Sequence, residues 1–412
     1  MIIIIGNVGS TSLKSKIIDL DMQNEVKVLG EANLDRIKTR DKSNFQHRIA
    51  DQEPVGELID IEGYESGIKF ILKWYIENGV ISSSKEIQAI GFKCVLGETN
   101  GANLLTPEIL EEMERYLFVA PVHNKPYLDT IKAFKKIIDI PMVGVFEPSF
   151  HYSVPEYRKI LGLPWKWHKM GIKKHGFHGS THRYLSAKAY KIMKSENIKL
   201  LTVHLGGSSS ICALKDGKSV DIDQSFSSNS GLLQGTRVGD TDGTAILFAI
   251  KELNISIDKA GEEISNNAGL KGIAGIGTED LRKIISAAGN DNPRAKLAID
   301  AYVYGIRKHI GALSAVLGGL DCLVFGGGIG ERNFLIRERI LEKLDFMGIK
   351  LDPVANKEFN GKFGLISSDY SIESRVKVYI VPTNEEMVVA YFTKKVLEEG
   401  RDLVPEEMVF RL

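Results

Sequence analysis

Three cysteines in 412 residues, Cys94, Cys212 and Cys322, are odd in number, widely spaced and set among apolar neighbours. They supply neither a disulfide framework nor a cysteine metal site, and they point to buried thiols in a reducing, cytoplasmic compartment. Net charge is missing too. Lys plus Arg and Asp plus Glu number 53 each, so the overall balance calls for no nucleic acid or membrane surface, and any anion site must be local. No apolar run reaches the roughly 18 residues of a membrane span. The opening MIIII carries no basic stretch and meets Gly6 at once, which reads as a strand and not as a secretory signal. Two common phosphate signatures are also absent: neither glycine turn described below fits GxxxxGK(S/T), and neither feeds a helix as a dinucleotide fingerprint must.

What is present is glycine in particular places. The stretch from Leu200 to Gly243 runs an apolar strand into Gly206-Gly207-Ser208-Ser209-Ser210, and a second strand leaves the turn directly. Such a turn exposes backbone N–H groups and small hydroxyls, which suits a phosphate, although a surface hairpin has the same composition. Downstream, Gly235-Thr236-Arg237-Val238-Gly239 places one arginine between two glycines, where its guanidinium would be a fixed fork for an oxyanion. The N-terminus repeats the plan: an apolar strand, then Gly6-Asn7-Val8-Gly9-Ser10-Thr11-Ser12, then a second strand. The two units begin about 200 residues apart, as expected of a chain built from two related halves. The 412-residue length also predicts two domains of about 200 residues each. A third glycine turn, Gly326-Gly327-Gly328-Ile329-Gly330, follows a buried-strand pattern and opens a helix.

Other elements follow from spacing. Glu62 to Asn78 carries apolar residues at helical intervals, and Glu86 to Val95 reads as a strand containing Lys93. A lysine there fits an edge position and a functional site equally well. Pro107 to Leu117 and Asn124 to Asp139 read as helices, the second entered through Ala120-Pro121-Val122-His123-Asn124. Pro141 to Phe146 is a short strand ending on Glu147, either a catalytic carboxylate or a solvated loop residue. His175, His178 and His182 lie within eight residues but lack cysteine or carboxylate partners at metal-ligand spacing, which favours His178 as a hydrogen-bond donor. Gly272 to Gly277 reads as a glycine-rich connector before a helix opened by Thr278 to Arg282, and Asn292 to Leu317 as one long helix with little polar surface. Pro382-Thr383-Asn384-Glu385-Glu386 starts the final helix, and two acids in a first turn also have a plain dipole explanation.

Taken in series, Asn7 to Lys14, Ala120 to Asn124, Gly176-Phe177-His178-Gly179, His204-Leu205-Gly206, Gly235-Thr236-Arg237, Gly327 to Glu331 and Val381 to Glu386 resemble the acetate kinase family, in its order and over essentially the whole chain. The resemblance implies an α/β fold: the duplicated two-domain plan of acetate and sugar kinases, Hsp70 and actin, with ATP in a cleft between domains. It divides the chain into residues 1–150, joined by a C-terminal helix at about 384–412, and residues 151–383. It implies Mg²⁺ held by Asn7 and Glu385. The nucleotide would be met by Ser10, Ser12, Lys14, His204, Leu205, Gly206, Gly207, Ser208, Asp280, Leu281, Arg282 and the turn Gly326, Gly327, Gly328, Ile329 and Gly330. Glu147, His178 and Arg237 would be catalytic, and Lys93, Val122 and His123 would meet the substrate.

The implied reaction is ATP-dependent phosphorylation of a short carboxylate, acetate by default, to an acyl phosphate in a homodimer. A kinase for propionate, butyrate or another small acid, and a non-catalytic ATP-binding homologue, are the alternatives. Departures from the family cluster at the acceptor side. Lys93 replaces an arginine, Glu147 an aspartate, Phe92 and Leu96 histidines, Glu98 a glycine and Ser228 a proline. In the phosphate turn, Gly207 and Ser208 stand where the family has asparagine and glycine.

Overall fold

The structure is a computed structural model that describes residues 1–9, 11–21, 26–37, 42–97, 100–117, 119, 121–359, 361–368 and 374–412, with the side chains of 121–123 outside the described set. The chain divides into two compact units, Met1–Tyr152 with Asn384–Phe410, and Ser153–Thr383 with Arg411–Leu412. None of the described helices is long and apolar enough to cross a membrane.

The first unit is built on eight strands: β1 (Ile2–Gly9), β2 (Ser12–Leu20), β3 (Val26–Asp35), β4 (Ser43–Ile49), β5 (Val55–Ile59), β6 (Ile87–Cys94), β7 (Ala102–Leu104) and β8 (Met142–Phe146). They run in the order β5-β4-β3-β2-β1-β6-β8-β7. The first five form an antiparallel meander, whereas β6 pairs parallel with β1 and with β8. Period-two alternation divides the faces of this sheet. Phe92 meets the rings of Tyr127 and Phe134 on the helix Pro121–Ile137, so its neighbours Gly91 and Lys93 point the other way. That second face is packed by the C-terminal helix Glu385–Glu399. The contact is close: a Cβ on Gly91 would stand 2.4 Å from Thr393 Oγ1, which explains the glycine.

The second unit repeats the arrangement with β9 (Leu200–Leu205), β10 (Ser209–Lys215), β11 (Lys218–Ile222), β12 (Cys322–Gly326), β13 (Gly364–Leu365) and β14 (Lys377–Ile380), in the order β11-β10-β9-β12-β14-β13. Again an antiparallel meander is followed by two strands parallel to its first member, with an antiparallel strand at the far edge. The core of the sheet's one side is filled from the helix Pro293–Leu317, whose Ile299, Val303, Ile306, Ile310 and Leu313 are buried. The helix Gly179–Met193 packs on β9 and β12.

Two readings of the sequence change here. Gly272 lies in a helix, Gly269–Ala274, so the glycine-rich connector shrinks to Gly275 through Gly277. The long helix is not buried all round: Leu297 and Tyr304 are exposed, because apolar residues off the inward stripe were counted with those on it. The final helix begins at Glu385, with Asn384 as its N-cap accepting from Met387 N–H at 3.1 Å.

Candidate functional site

In the first unit, β6 lies between β1 and β8, so Lys93 is on an interior strand and the edge-strand reading fails. Its ammonium donates to Glu385 Oε2 at 2.8 Å. Glu147 follows β8 directly and is buried, in a short 3₁₀ turn. This removes the solvated-loop reading for it. Burial works against the charge on Lys93, but the carboxylate of Glu385, and after it that of Glu147, outweighs burial and moves the pKa above the usual lysine value. Lys93 therefore stays a cation.

Nearby, Tyr127 donates its hydroxyl to Asn7 Oδ1 at 3.3 Å. Asn124 donates to the carbonyls of Leu96 and Met113 at 2.7 and 3.0 Å, fixing the chain just past β6. Lys14 is exposed on β2 opposite Asn7 in register, and Ser12 begins that strand. Ser10 lies outside the described residues, as do the side chains of Val122 and His123, which occupy the first turn of Pro121–Ile137.

In the second unit, the turn between β9 and β10 is tied to the segment carrying Arg237. Gly235 N–H donates to Gly207 C=O at 3.1 Å. Arg237 Nη1 donates to Ser208 Oγ at 2.9 Å and to Gln234 Oε1 at 3.2 Å, and Ser208 also donates to Gln234 at 2.8 Å. The glutamine is itself aimed by donating to Ser228 C=O at 2.7 Å. Burial lowers the Arg237 pKa to about 10, so it remains fully charged at neutral pH while losing part of its hydration. A desolvated, aimed guanidinium is a strong receptor for an anion.

The backbone under Arg237 is rigid as well. Gly269 has φ of +61°, and a Cβ there would strike Gln234 C=O at 2.2 Å and Arg237 C=O at 2.8 Å.

His178 is the left-handed residue (φ 55°) that opens the helix Gly179–Met193. Its Nδ1 lies 2.7 Å from Ser210 Oγ, and its ring centroid is 4.7 Å from that of His204. At the end of β12, Gly327 has φ of +78° and sits against Leu205 C=O, so the first and central strands of the sheet close on each other where their chains turn away. Glu331 Oε1 accepts from Gly327 N–H, Thr383 N–H and Thr383 Oγ1, each at 2.9 Å. Glu331 thereby ties this turn to the end of the following strand. Asp280 caps the helix Leu281–Gly289 and takes two guanidinium bonds from the exposed Arg282, which hold its carboxyl down at about 2. Leu281 is buried in the core of the unit.

Among the described residues no group of three or more His, Cys, Asp or Glu side chains could hold a metal. The oxygens of Asn7 and Glu385 are the right chemistry for a hard cation that keeps several waters or phosphate oxygens as its other ligands.

The acetokinase family's sequence profile matches residues 1–391. The chain belongs to the acetokinase family. Acetate kinase of Clostridium novyi (strain NT) is 38% identical over 408 residues, covering 97% of this chain and 99% of that protein. Among solved structures, Porphyromonas gingivalis acetate kinase superposes with a TM-score of 0.85 at 33% identity, covering 96% of this chain and 99% of that one. A propionate kinase from Francisella tularensis subsp. tularensis SCHU S4 gives a TM-score of 0.86 at 28% identity, covering 95% and 98%. Membership makes the chain a phosphotransferase with a carboxyl group as acceptor, on the duplicated α/β fold that the repeated turns imply.

Within this acetokinase frame, sequence reasoning missed three residues: His182, Ser210 and Gln234. The four-residue spacing of His178 and His182 on a helix was a usable signal, because it places both rings on one side. Nothing in the sequence marks Gln234.

Proposed function

We propose that this chain transfers the γ-phosphoryl group of ATP reversibly and directly to a short carboxylate, acetate in the first instance, giving an acyl phosphate. The observation that carries the reading is Arg237, a charged and largely desolvated guanidinium aimed by Ser208 and Gln234 at the end of a glycine-rich strand turn. Phosphoryl transfer to a carboxylate brings two anions together, and its barrier falls mainly through positioning and neutralisation of the equatorial oxygens. Arg237 and His178 supply those donors. The acceptor is already ionised near neutral pH, so no strong general base is needed. Lys93 meets the acceptor carboxylate as a point charge, and Glu147 orients the lysine. Asn7 and Glu385 would hold Mg²⁺, which offsets charge on the nucleotide phosphates when bound.

The acceptor is the element a second reading touches. Lys93 cannot form the two-pronged contact of an arginine, and the F. tularensis relative named as a propionate kinase matches this chain over nearly its full length. Propionate, butyrate or another small acid is therefore the alternative acceptor. A sugar acceptor has no residue signature to support it.

A homodimer in the cytoplasm completes the proposal. Its support is the helix Gly243–Glu252, which has no buried residue although it carries Leu247 and Phe248, exposed along with Leu253 and Ile257 just beyond it. Helices with an apolar face of this kind are partner surfaces in soluble proteins.

Trapping acyl phosphate with hydroxylamine, using ATP, Mg²⁺ and a panel of short acids, tests the function. Product with acetate supports the first reading, and product with another acid alone moves the assignment to that acid. ATP binding without product from any acid sinks the proposal in favour of a non-catalytic homologue.

A further inference from the structure

The histidine assigned to the transition state does not stand alone. His178 Nδ1 is 2.7 Å from Ser210 Oγ, Ser210 Oγ is 2.8 Å from His182 Nε2, and His182 Nδ1 is 2.7 Å from Thr202 Oγ1. Ser210, His182 and Thr202 are each fully buried. The sheet explains why they meet. Register pairs Ser210 with His204 and Cys212 with Thr202 across β9 and β10, so these four side chains share one face. His178 and His182, one helical turn apart at the start of Gly179–Met193, lie over that face. The opposite face is taken by Ser209, whose hydroxyl is 3.3 Å from that of Tyr302 on the helix Pro293–Leu317.

Each hydroxyl has one proton and each neutral imidazole has one N–H, so with the Ser210 proton spent inside the row the bonds run in one of two directions; a Ser210 that accepts from both rings would leave His178 protonated on Nδ1, as in the second of them. In one, Thr202 donates to His182 Nδ1, His182 Nε2–H donates to Ser210, and Ser210 donates to His178 Nδ1. His178 then carries its proton on Nε2. In the other, every bond is reversed, His178 donates from Nδ1, and Nε2 presents a lone pair. A lone pair repels phosphoryl oxygens, whereas an N–H attracts them.

We propose that Thr202, His182 and Ser210 are positioning residues that hold His178 as its Nε2–H tautomer, ready to donate to the transferring phosphoryl group. The proposal rests on the kinase reading above for its choice of direction. The backbone contributes to the same end: His178 is held in the left-handed region, a conformation that costs a non-glycine residue roughly 1 kcal/mol and that aims the ring from a rigid helix start. None of the three supports is among the candidate residues of the sequence reading, and for Ser210 and Thr202 there was no signal, since a serine or threonine inside a strand has no sequence mark of its own.

The test is ring ¹⁵N NMR of the full-length protein labelled at histidine, without substrate, with His178 assigned by its disappearance in His178→Gln. The expected result is a protonated Nε2 and an unprotonated Nδ1. Ser210→Ala should convert His178 to mixed tautomers and lower kcat by about 10- to 100-fold, the usual range for loss of a supporting partner, with the KM values little changed. Ser210→Thr, which keeps the hydroxyl, should recover most of the loss. His182→Gln, which keeps an N–H donor at the Nε2 position, should remain more active than His182→Phe at equal folded content by circular dichroism.

A protonated Nδ1 on His178, an imidazolium at neutral pH, or an unchanged tautomer in Ser210→Ala overturns the proposal. The spectrum is read on the resting protein. The expected tautomer in a protein that makes no acyl phosphate therefore supports the relay while the kinase reading fails; the opposite tautomer in an active enzyme sinks the relay alone.

Discussion

The central strands of the two sheets end in opposite ways. β6 and β12 occupy the same place, each parallel to the first strand of its meander and each followed in the sheet by another parallel strand. The pair Gly6 and Phe92 closes the β1–β6 register as His204 and Gly326 close that of β9–β12. After that pair, the first unit has Lys93 and the second has Gly327. The second unit thus clears its strand ends, so that backbone N–H groups and a fixed arginine can approach an anion. The first unit fills its end with a lysine poised among carboxylates. On the function proposed above, one plan, duplicated, would serve as a phosphate cradle in one copy and as a charged acceptor corner in the other.

The comparison breaks most severely at Arg237. Arg237→Ala is expected to lower kcat by about 10²- to 10³-fold or more, as when a preorganised transition-state donor is removed. ATP affinity measured by calorimetry should change far less, because the turn from His204 to Ser208 remains. Equal losses in binding and turnover would make Arg237 a ground-state contact and leave His178 as the second unit's only proposed transition-state donor.

The glycines separate structure from function within the same turn. Gly327→Ala places a Cβ 2.5 Å from Leu205 C=O at a φ of +78°. Backbone cannot step aside cheaply, so about 1 to 3 kcal/mol of stability should be lost in chemical denaturation. Gly207→Ala puts its Cβ in open space. Its stability should match the wild type, while nucleotide affinity falls because the Cβ occupies the room a phosphate needs. If both variants are destabilised alike, the clearance at Gly207 is not for a ligand.

These residues also show what could be read before the structure. Repeated strand-glycine-strand units at Gly6 and Gly206 announced the duplication, because turn chemistry and period-two patterning are local. Lys93 was legible as unusual but not as an edge or site residue, since strand order in a parallel sheet is set by contacts distant in sequence. The support for His178 from Ser210, and for Arg237 from Gln234, came from cross-strand register and loop packing, which no local signal encodes. The helix Gly269–Ala274 was hidden by its own glycines: Gly269 is there because Gln234 and Arg237 press on its backbone, and Gly272 because the Asn267 carbonyl does.

In the first unit the corresponding test is a double-mutant cycle. Lys93→Arg alone places a fork against a longer Glu147, and Glu147→Asp alone withdraws a carboxylate from a lysine. The two together restore the family's pair. The expected coupling in kcat/KM for acetate is about 0.5 to 3 kcal/mol, the range for residues that share partners. Additive effects would mean that Glu147 acts on something other than Lys93, and that the acceptor corner is not one unit.

The smallest expected effect concerns pH, and it singles out the second unit. Burial, reinforced by the nearby Lys173 ammonium, lowers the His175 pKa from 6.5 to about 4. As pH falls, the unfolded chain takes up this proton first. The stability that His175 contributes is therefore complete above about pH 6.5 and is lost progressively towards pH 4. The backbone amide of His175 donates to Ser225 C=O at 3.0 Å, which places the residue against the loop that leads on to Gln234 and Arg237. Thermal melts of wild type and His175→Gln between pH 7.5 and 4.5 isolate the term, because carboxylates common to both proteins cancel in the difference. The wild type should lose its advantage as pH falls. Parallel melting curves across the series would show that the ring is already solvated in the folded protein, and that the loop before Arg237 is looser than the first unit's lysine corner.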